Sequence, residues 1–310
     1  MDNIILTLLC IPNVGRKTVL YLIESIEKFP INESELLEIF ISSKLTNKKI
    51  YIPTLDEIKK AKEKSNDIIL NSSILNIKYI DILNEKFPKS LKQIKDKPVM
   101  LFYKGNYKCI EDQKTINIIG SRKASINGLK EAYKLGYDFG KDKYCVVSGL
   151  AIGCDEQAHK GCLDANGNTV AVLPSAIDKI YPYKNNYLAE KIIENKGCLI
   201  SEYPIGKNIS KNQFIERDRI QSGISKSVLL CESSLKSGSM HTIEFAKLQG
   251  KIISCIDINA DGNEAIKKDK RCVIIRNEKD IKELKNKINN FKSCENMITN
   301  NIQRQIKFEL

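Results

Sequence analysis

The chain has no tryptophan and only two histidines among its 310 residues. It has no Cys-x-x-Cys pair either, so the ligand spacing of a zinc site is missing and no metal is expected. None of its apolar runs approaches the roughly 20 residues that span a bilayer, so no membrane role is expected. Met1-Asp2-Asn3 leads straight into an apolar segment that is too short, and has no basic lead, to read as a secretory leader. Acidic side chains are in deficit, with 38 against 50 basic ones and a net charge of +12. That excess favours a polyanionic partner, although lysine-rich and isoleucine-rich genome usage produces the same sign. The ten cysteines are scattered, mostly in apolar stretches such as Tyr144-Cys145-Val146 and Leu230-Cys231. They are expected to be buried, reduced thiols of a cytoplasmic protein.

What is present is enough for a real core: 42% of residues are hydrophobic and 28% are charged. Residues 1–75 show helical periodicity and are expected to form a small helical domain. Within it, Ile11-Pro12-Asn13-Val14-Gly15 separates two apolar helical patterns, followed by Arg16 and Lys17. This is either a plain helical turn or a helix–hairpin–helix presenting amides and cations to phosphate; the usual first Gly of that motif is Asn13 here. Residues 76–108 read as a bridge, with turn signals between short apolar pieces.

From residue 109 to 292, short apolar runs alternate with helical patterns. The strand candidates are 115–119, 144–148, 168–173, 198–201, 227–231, 251–256 and 272–275, with helices between them at 153–166, 184–196 and 239–249. Continuous apolar runs suit strands buried on both faces, so the expected fold is α/β, a Rossmann-like doubly wound, mostly parallel sheet. The tail at 293–310 is polar and basic.

Three Gly/Ser turns fall at the C-terminal ends of these strands, where ligands of such sheets gather. A small-residue turn feeding a helix leaves backbone N–H groups free, and with the helix dipole these make an anion site. The first turn is Gly120-Ser121-Arg122, where Arg122 offers a planar donor fork for phosphate or a surface salt bridge. The second spans Ser148, Gly149, Ala151 and Gly153, whose small side chains would let a sugar-phosphate reach the amides. Asp155 beyond it fits a helix cap or an internal acceptor, and the lone His159 a structural role. The third turn is Ser237-Gly238-Ser239, with Thr242 able to cap the next helix.

A separate segment carries Lys211, Phe214, Arg217 and Arg219. Lys211 and Phe214 are three apart and would share a helix face. A cation beside a ring suits single-stranded nucleic acid, the one for phosphate and the other for a base; the alternative places Phe214 in the core. No nucleophile–base constellation stands out, so no enzyme activity and no cofactor are expected.

Taken together, these residues resemble the DNA-processing protein A family over about residues 1–285. The carriers are Ile119-Gly120-Ser121-Arg122, Ser148-Gly149-Leu150-Ala151-Ile152-Gly153-Cys154-Asp155 with Ala158-His159, and Val170-Ala171-Val172-Leu173. Asp178 with Tyr181-Pro182, Ser201-Glu202-Tyr203-Pro204, Phe214, Arg217, Arg219 and Ser237-Gly238-Ser239 complete them in order. The resemblance implies a Rossmann-like core that binds single-stranded DNA as a homodimer and hands it to the RecA recombinase during natural transformation. It implies a phosphate contact at Lys211 and base stacking at Phe214. The chain departs from the family pattern at Ile152, where an arginine is usual, at Asp218 for asparagine, at Pro174 for glycine, and at Met240-His241. Too few residues follow 292 for the family's winged-helix domain. Two other readings stay open: a nucleotide-binding or nucleotide-hydrolysing protein akin to lysine-decarboxylase-like phosphoribohydrolases, with Glu244 as its carboxylate, and a scaffold that has kept the fold alone.

Overall fold

The structure is a computed structural model that describes residues 3–26, 28–110 and 114–291. It divides into two compact units, Met1–Phe87 with Pro98–Phe102, and Pro88–Lys97 with Tyr103–Leu310. The division falls inside the expected bridge. The tail expected at 293–310 lies outside the described residues.

In the first unit, α1 (Ile4–Cys10) and α2 (Arg16–Ser25) flank a tight turn. Asn13 sits there at φ 60°, a left-handed conformation that asparagine accepts. Asn32 caps α3 (Glu33–Thr46), and a Thr54/Glu57 capping box opens α4 (Leu55–Ile74). Ile5, Leu8, Leu22, Leu36, Phe40 and Ile58 form the buried faces of these helices. The bridge contributes β1 (Lys78–Asp81), the single turn α5 (Lys89–Lys92) and β2 (Met100–Gly105).

The second unit alternates strand and helix: β3 (Thr115–Ile119), α6 (Ile126–Lys141), β4 (Cys145–Ser148), α7 (Cys154–Asp164), β5 (Thr169–Leu173), α8 (Asn186–Glu194) and β6 (Cys198–Ser201). It continues through α9 (Lys211–Gly223), β7 (Ser227–Leu230), α10 (Ser239–Leu248), β8 (Ile252–Ile256), α11 (Asp261–Lys267), β9 (Val273–Ile275) and α12 (Glu278–Asn289). These strands lie in the order β6-β5-β4-β3-β7-β8-β9. Every pair is parallel, with Ile116 facing Val146 on one side and Ser227 on the other. The doubly wound parallel sheet expected from the apolar runs is the observed one.

Alternation along each strand splits the core in two. Ile116 and Ile118 pack with Leu135, Phe139, Ala158 and Leu284, on the side of α6, α7 and α12. Ile119, Val228 and Leu230 pack with Ile243, Ala246 and Ile266, on the side of α10 and α11. Each such aliphatic side chain contributes about 1.5–3 kcal/mol by leaving water. From β3 the chain winds outward through β4, β5 and β6, then returns to place β7 on the other side of β3. The winding therefore reverses between β3 and β7, and the gap beyond their C-terminal ends is where such sheets bind ligands. No helix among the described residues is long and apolar enough to cross a membrane.

Candidate functional site

At the end of β3 the chain turns through Gly120-Ser121-Arg122. The Ser121 N–H donates to the Glu232 carbonyl at 2.7 Å, which ties this turn to the segment after β7. The Ser121 hydroxyl accepts from the Lys123 N–H at 3.0 Å. Between the two strand ends opens a cavity of about 620 Å³. Its walls are Gly120, Ser121, Arg122 and Lys123 after β3, Phe214, Arg217 and Asp218 on α9, Glu232, Ser233 and Ser234 after β7, and Ser237, Gly238 and Ser239 at the start of α10. Ser239 Oγ lies 2.7 Å from Ser233 Oγ and 2.9 Å from Ser237 Oγ, forming a hydroxyl cluster on that wall. The first and third turns are thus brought to one cavity, and Ala151 of the second turn, with Asp155 beyond it, also lines its wall.

Phe214 stands at the mouth, half-buried, and also walls a smaller neighbouring cavity of about 40 Å³. Its ring lies 5.4 Å from that of Tyr181, nearly perpendicular at 82°. The Arg122 guanidinium lies over it, 5.3 Å from the centroid. Arg122 is exposed and closes no ion pair among the described residues. A cation and a half-buried aromatic ring are therefore held together at the cavity. Lys211 is exposed at the first position of α9, one turn before Phe214, and lines neither cavity.

The second turn departs from expectation. Its amides are already occupied: the Gly149 N–H donates to Asp155 Oδ2 at 3.0 Å, and the Ala151 N–H also bonds the Asp155 carboxylate. The carboxylate fills the anion cradle that was expected for a phosphate. Burial pushes the Asp155 pKa up, while Arg217 and the two amides draw it back. Ser148 is fully buried and donates to the Ile118 carbonyl at 2.7 Å, so it faces the sheet and not a ligand. Gly153 adopts φ 95°, and a Cβ there would come 2.4 Å from the Ser121 carbonyl oxygen. Its part is to let the first two turns pack together. Ile152, where the resemblance implied an arginine, is 39% exposed on the wall of the smaller cavity.

Arg217 and Arg219 also depart from the expected DNA contact. Arg217 donates through Nη1 to the carbonyls of Gly149 at 2.7 Å and Val172 at 2.8 Å, and through Nε to Asp218 at 3.0 Å. Arg219 is buried, with Nη2 bonded at 2.7 Å to both oxygens of Glu202 and Nε 3.3 Å from Asp96. Both charges are spent inside the protein. Burial pushes Asp218 up to about 6, against the opposing pull of Arg217. His159 is buried, with Nδ1 2.7 Å from the Thr169 hydroxyl, and burial pulls it down to about 3. It is a neutral core residue. Glu244 pairs with Lys247 at 3.0 Å and lies outside the cavity walls.

Sequence reading did not single out Glu232, Ser233, Gln221 or Asp261, all of which line the main cavity. The Glu232 carboxylate accepts from the Ser125 hydroxyl at 2.6 Å and so holds the start of α6. The signal that finds them is position: each except Gln221 follows a strand end on the β7–β8 side of the reversal.

A family model described as DNA recombination-mediator protein A matches residues 78–286. Protein Smf of Synechocystis sp. is 35% identical over 182 residues, 58% of this chain and 46% of that protein. DNA processing protein DprA of Streptococcus pneumoniae is 34% identical over 191 residues, 62% of this chain and 67% of that protein. The chain thus spans about half to two thirds of the length of these curated relatives. The solved structure of DprA from Streptococcus pneumoniae shares the fold, with a TM-score of 0.66 at 24% identity over 86% of this chain and 97% of that one. DNA processing protein A from Helicobacter pylori aligns with a TM-score of 0.62 at 26% identity over 68% of this chain and 95% of that one; its structure is described as giving insight into a unique single-stranded DNA binding mode.

Proposed function

The chain belongs to the DNA recombination-mediator protein A family, and from that premise we propose that it binds single-stranded DNA across the mouth of the cavity between β3 and β7. The observation that carries this reading is the Arg122 guanidinium held 5.3 Å from the centroid of the half-buried Phe214 ring. Arg122 meets a phosphate and Phe214 a base, and neither needs a particular sequence because every base has a π face. Ser121 and the hydroxyls of Ser233, Ser237 and Ser239 add neutral donors on the facing walls. Exposed Lys211 adds a second cation along α9.

The reading extends to a non-enzymatic mediator of recombination that protects incoming single strands and passes them to the RecA recombinase as a homodimer, serving natural transformation. Its support is the family membership and the likeness to the Helicobacter pylori protein. Glu244, the carboxylate a phosphoribohydrolase reading would use, is 61% exposed in its side chain and paired with Lys247, which favours the non-enzymatic reading.

Titration of fluorescent oligo-dT at two salt concentrations tests the proposal. Binding at low salt that weakens steeply as salt rises is expected, since phosphate contacts release counterions. No binding at low salt overturns it. Release of free base from nucleoside monophosphates by the purified protein overturns its non-enzymatic part.

A further inference from the structure

Beyond Phe214, three tyrosines of one segment are exposed. Tyr181, whose ring touches Phe214, is 42% exposed; Tyr183 is 82% exposed and Tyr187 is 69% exposed. Basic side chains interleave with them along the same segment. Lys179 and Lys184 are exposed and close no ion pair among the described residues. Lys191 reaches to 5.3 Å from the centroid of Tyr187 while also pairing with Glu194 at 2.7 Å.

The segment is a fixed platform. Asn185 is buried, and its side-chain N–H donates to the Leu150 carbonyl at 2.8 Å, which pins the segment to the turn after β4. Leu188, Ala189 and Ile192 anchor α8 in the core, leaving Tyr187 on its outer side. Tyrosine on a rigid backbone has few rotors to immobilise, so a base stacks on it at low entropic cost.

We propose that the segment Lys179–Lys191 is a second stretch of the single-strand track, on which nucleotides leaving the Phe214 site stack on Tyr183 and Tyr187 with their phosphates beside Lys179 and Lys184. The inference rests on the reading of the Arg122–Phe214 site and deepens it by lengthening its footprint. Continuity carries it: Tyr181 is at once the neighbour of Phe214 and the first ring of the series. Aromatic faces interleaved with cations are the chemistry of a sequence-tolerant single-strand groove.

The test compares oligo-dT of about 6 and about 20 nucleotides, lengths that bracket typical single-strand site sizes. In wild type the longer strand should bind more tightly. Y183A/Y187A should weaken the longer strand by about tenfold or more and leave the shorter within about twofold, while F214A weakens both. Y183F/Y187F should bind both as wild type does, because the ring faces remain. Unchanged binding of the longer strand by Y183A/Y187A, with F214A weakened, overturns the extended track and leaves the Phe214 site standing. Loss of capture of a protein partner with unchanged DNA binding by Y183A/Y187A also overturns it. Failure of wild type to bind even the shorter strand overturns the site itself and this inference with it.

Discussion

The turn after β3 and the turn after β4 have the same design on paper. Both are short, Gly-containing, placed at the C-terminal end of a parallel strand and followed by a helix. In the folded protein they do different things. After β3, Ser121 and the exposed Arg122 face a cavity of about 620 Å³. After β4, the Gly149 and Ala151 amides close on Asp155, and the Gly149 carbonyl is held by Arg217 at 2.7 Å. The second turn is filled by Asp155 from the helix that follows it and held by Arg217 from α9. A Gly-rich turn at a helix start is an anion site only while its donors are unspent, and a carboxylate six residues along the chain spends them.

That comparison can be broken most forcefully at Arg217, the cation that neutralises the closed turn. Arg217→Ala leaves Asp155 and Asp218 buried without their partner and should cost about 3–5 kcal/mol of stability, read by urea unfolding. A loss under about 1 kcal/mol would mean that the turn after β4 is not closed by this network. Phe214→Ala acts on the open side. It should weaken oligo-dT binding by about 1–3 kcal/mol, roughly 5- to 150-fold, with little change in melting.

Arg122→Ala should have a smaller effect, about tenfold on affinity, and should lower the salt slope by about one phosphate contact while leaving stability within about 0.5 kcal/mol. The smallest effect concerns pH. Asp218 lines the cavity, and burial holds it up to about 6. Above that pH it is ionised and opposes phosphate; as pH falls through about 6 it takes a proton and the opposition goes. Affinity should therefore rise a few-fold on acidification. Asp218→Asn should bind at pH 7 as wild type does well below pH 6, and its own pH profile should be flatter through this window; anisotropy titrations across the range check both.

The sheet was legible because β3 to β7 are buried on both faces and write themselves as short, mostly apolar runs. The candidate 115–119 is β3 to the residue, and 198–201 is β6. The reversal between β3 and β7, and with it the meeting of the first and third turns, was not in that pattern, because apolar runs carry no strand order. What was not legible depends on reach across the fold. Asp155 was read as a cap or internal acceptor, but that it fills its own turn is a matter of side-chain direction. Arg217 and Arg219 look like exposed cations until Val172 on β5 and Glu202 after β6 come beside α9. Glu232 and Asp261 were missed because neither belongs to a local motif; only the strand ends collect them. In the bridge, β1 and β2 were hidden by the proline and lysine punctuation between them.

The most direct test of the account is where a bound strand touches the protein. Oligo-dT carrying 4-thiothymidine, photo-crosslinked to the full chain and mapped to single residues by mass spectrometry, should place adducts on Phe214 and Arg122 and none on Ser148, Gly149 or Gly153. Adducts confined to Ser148–Gly153, or to the helical unit before residue 76, would contradict it.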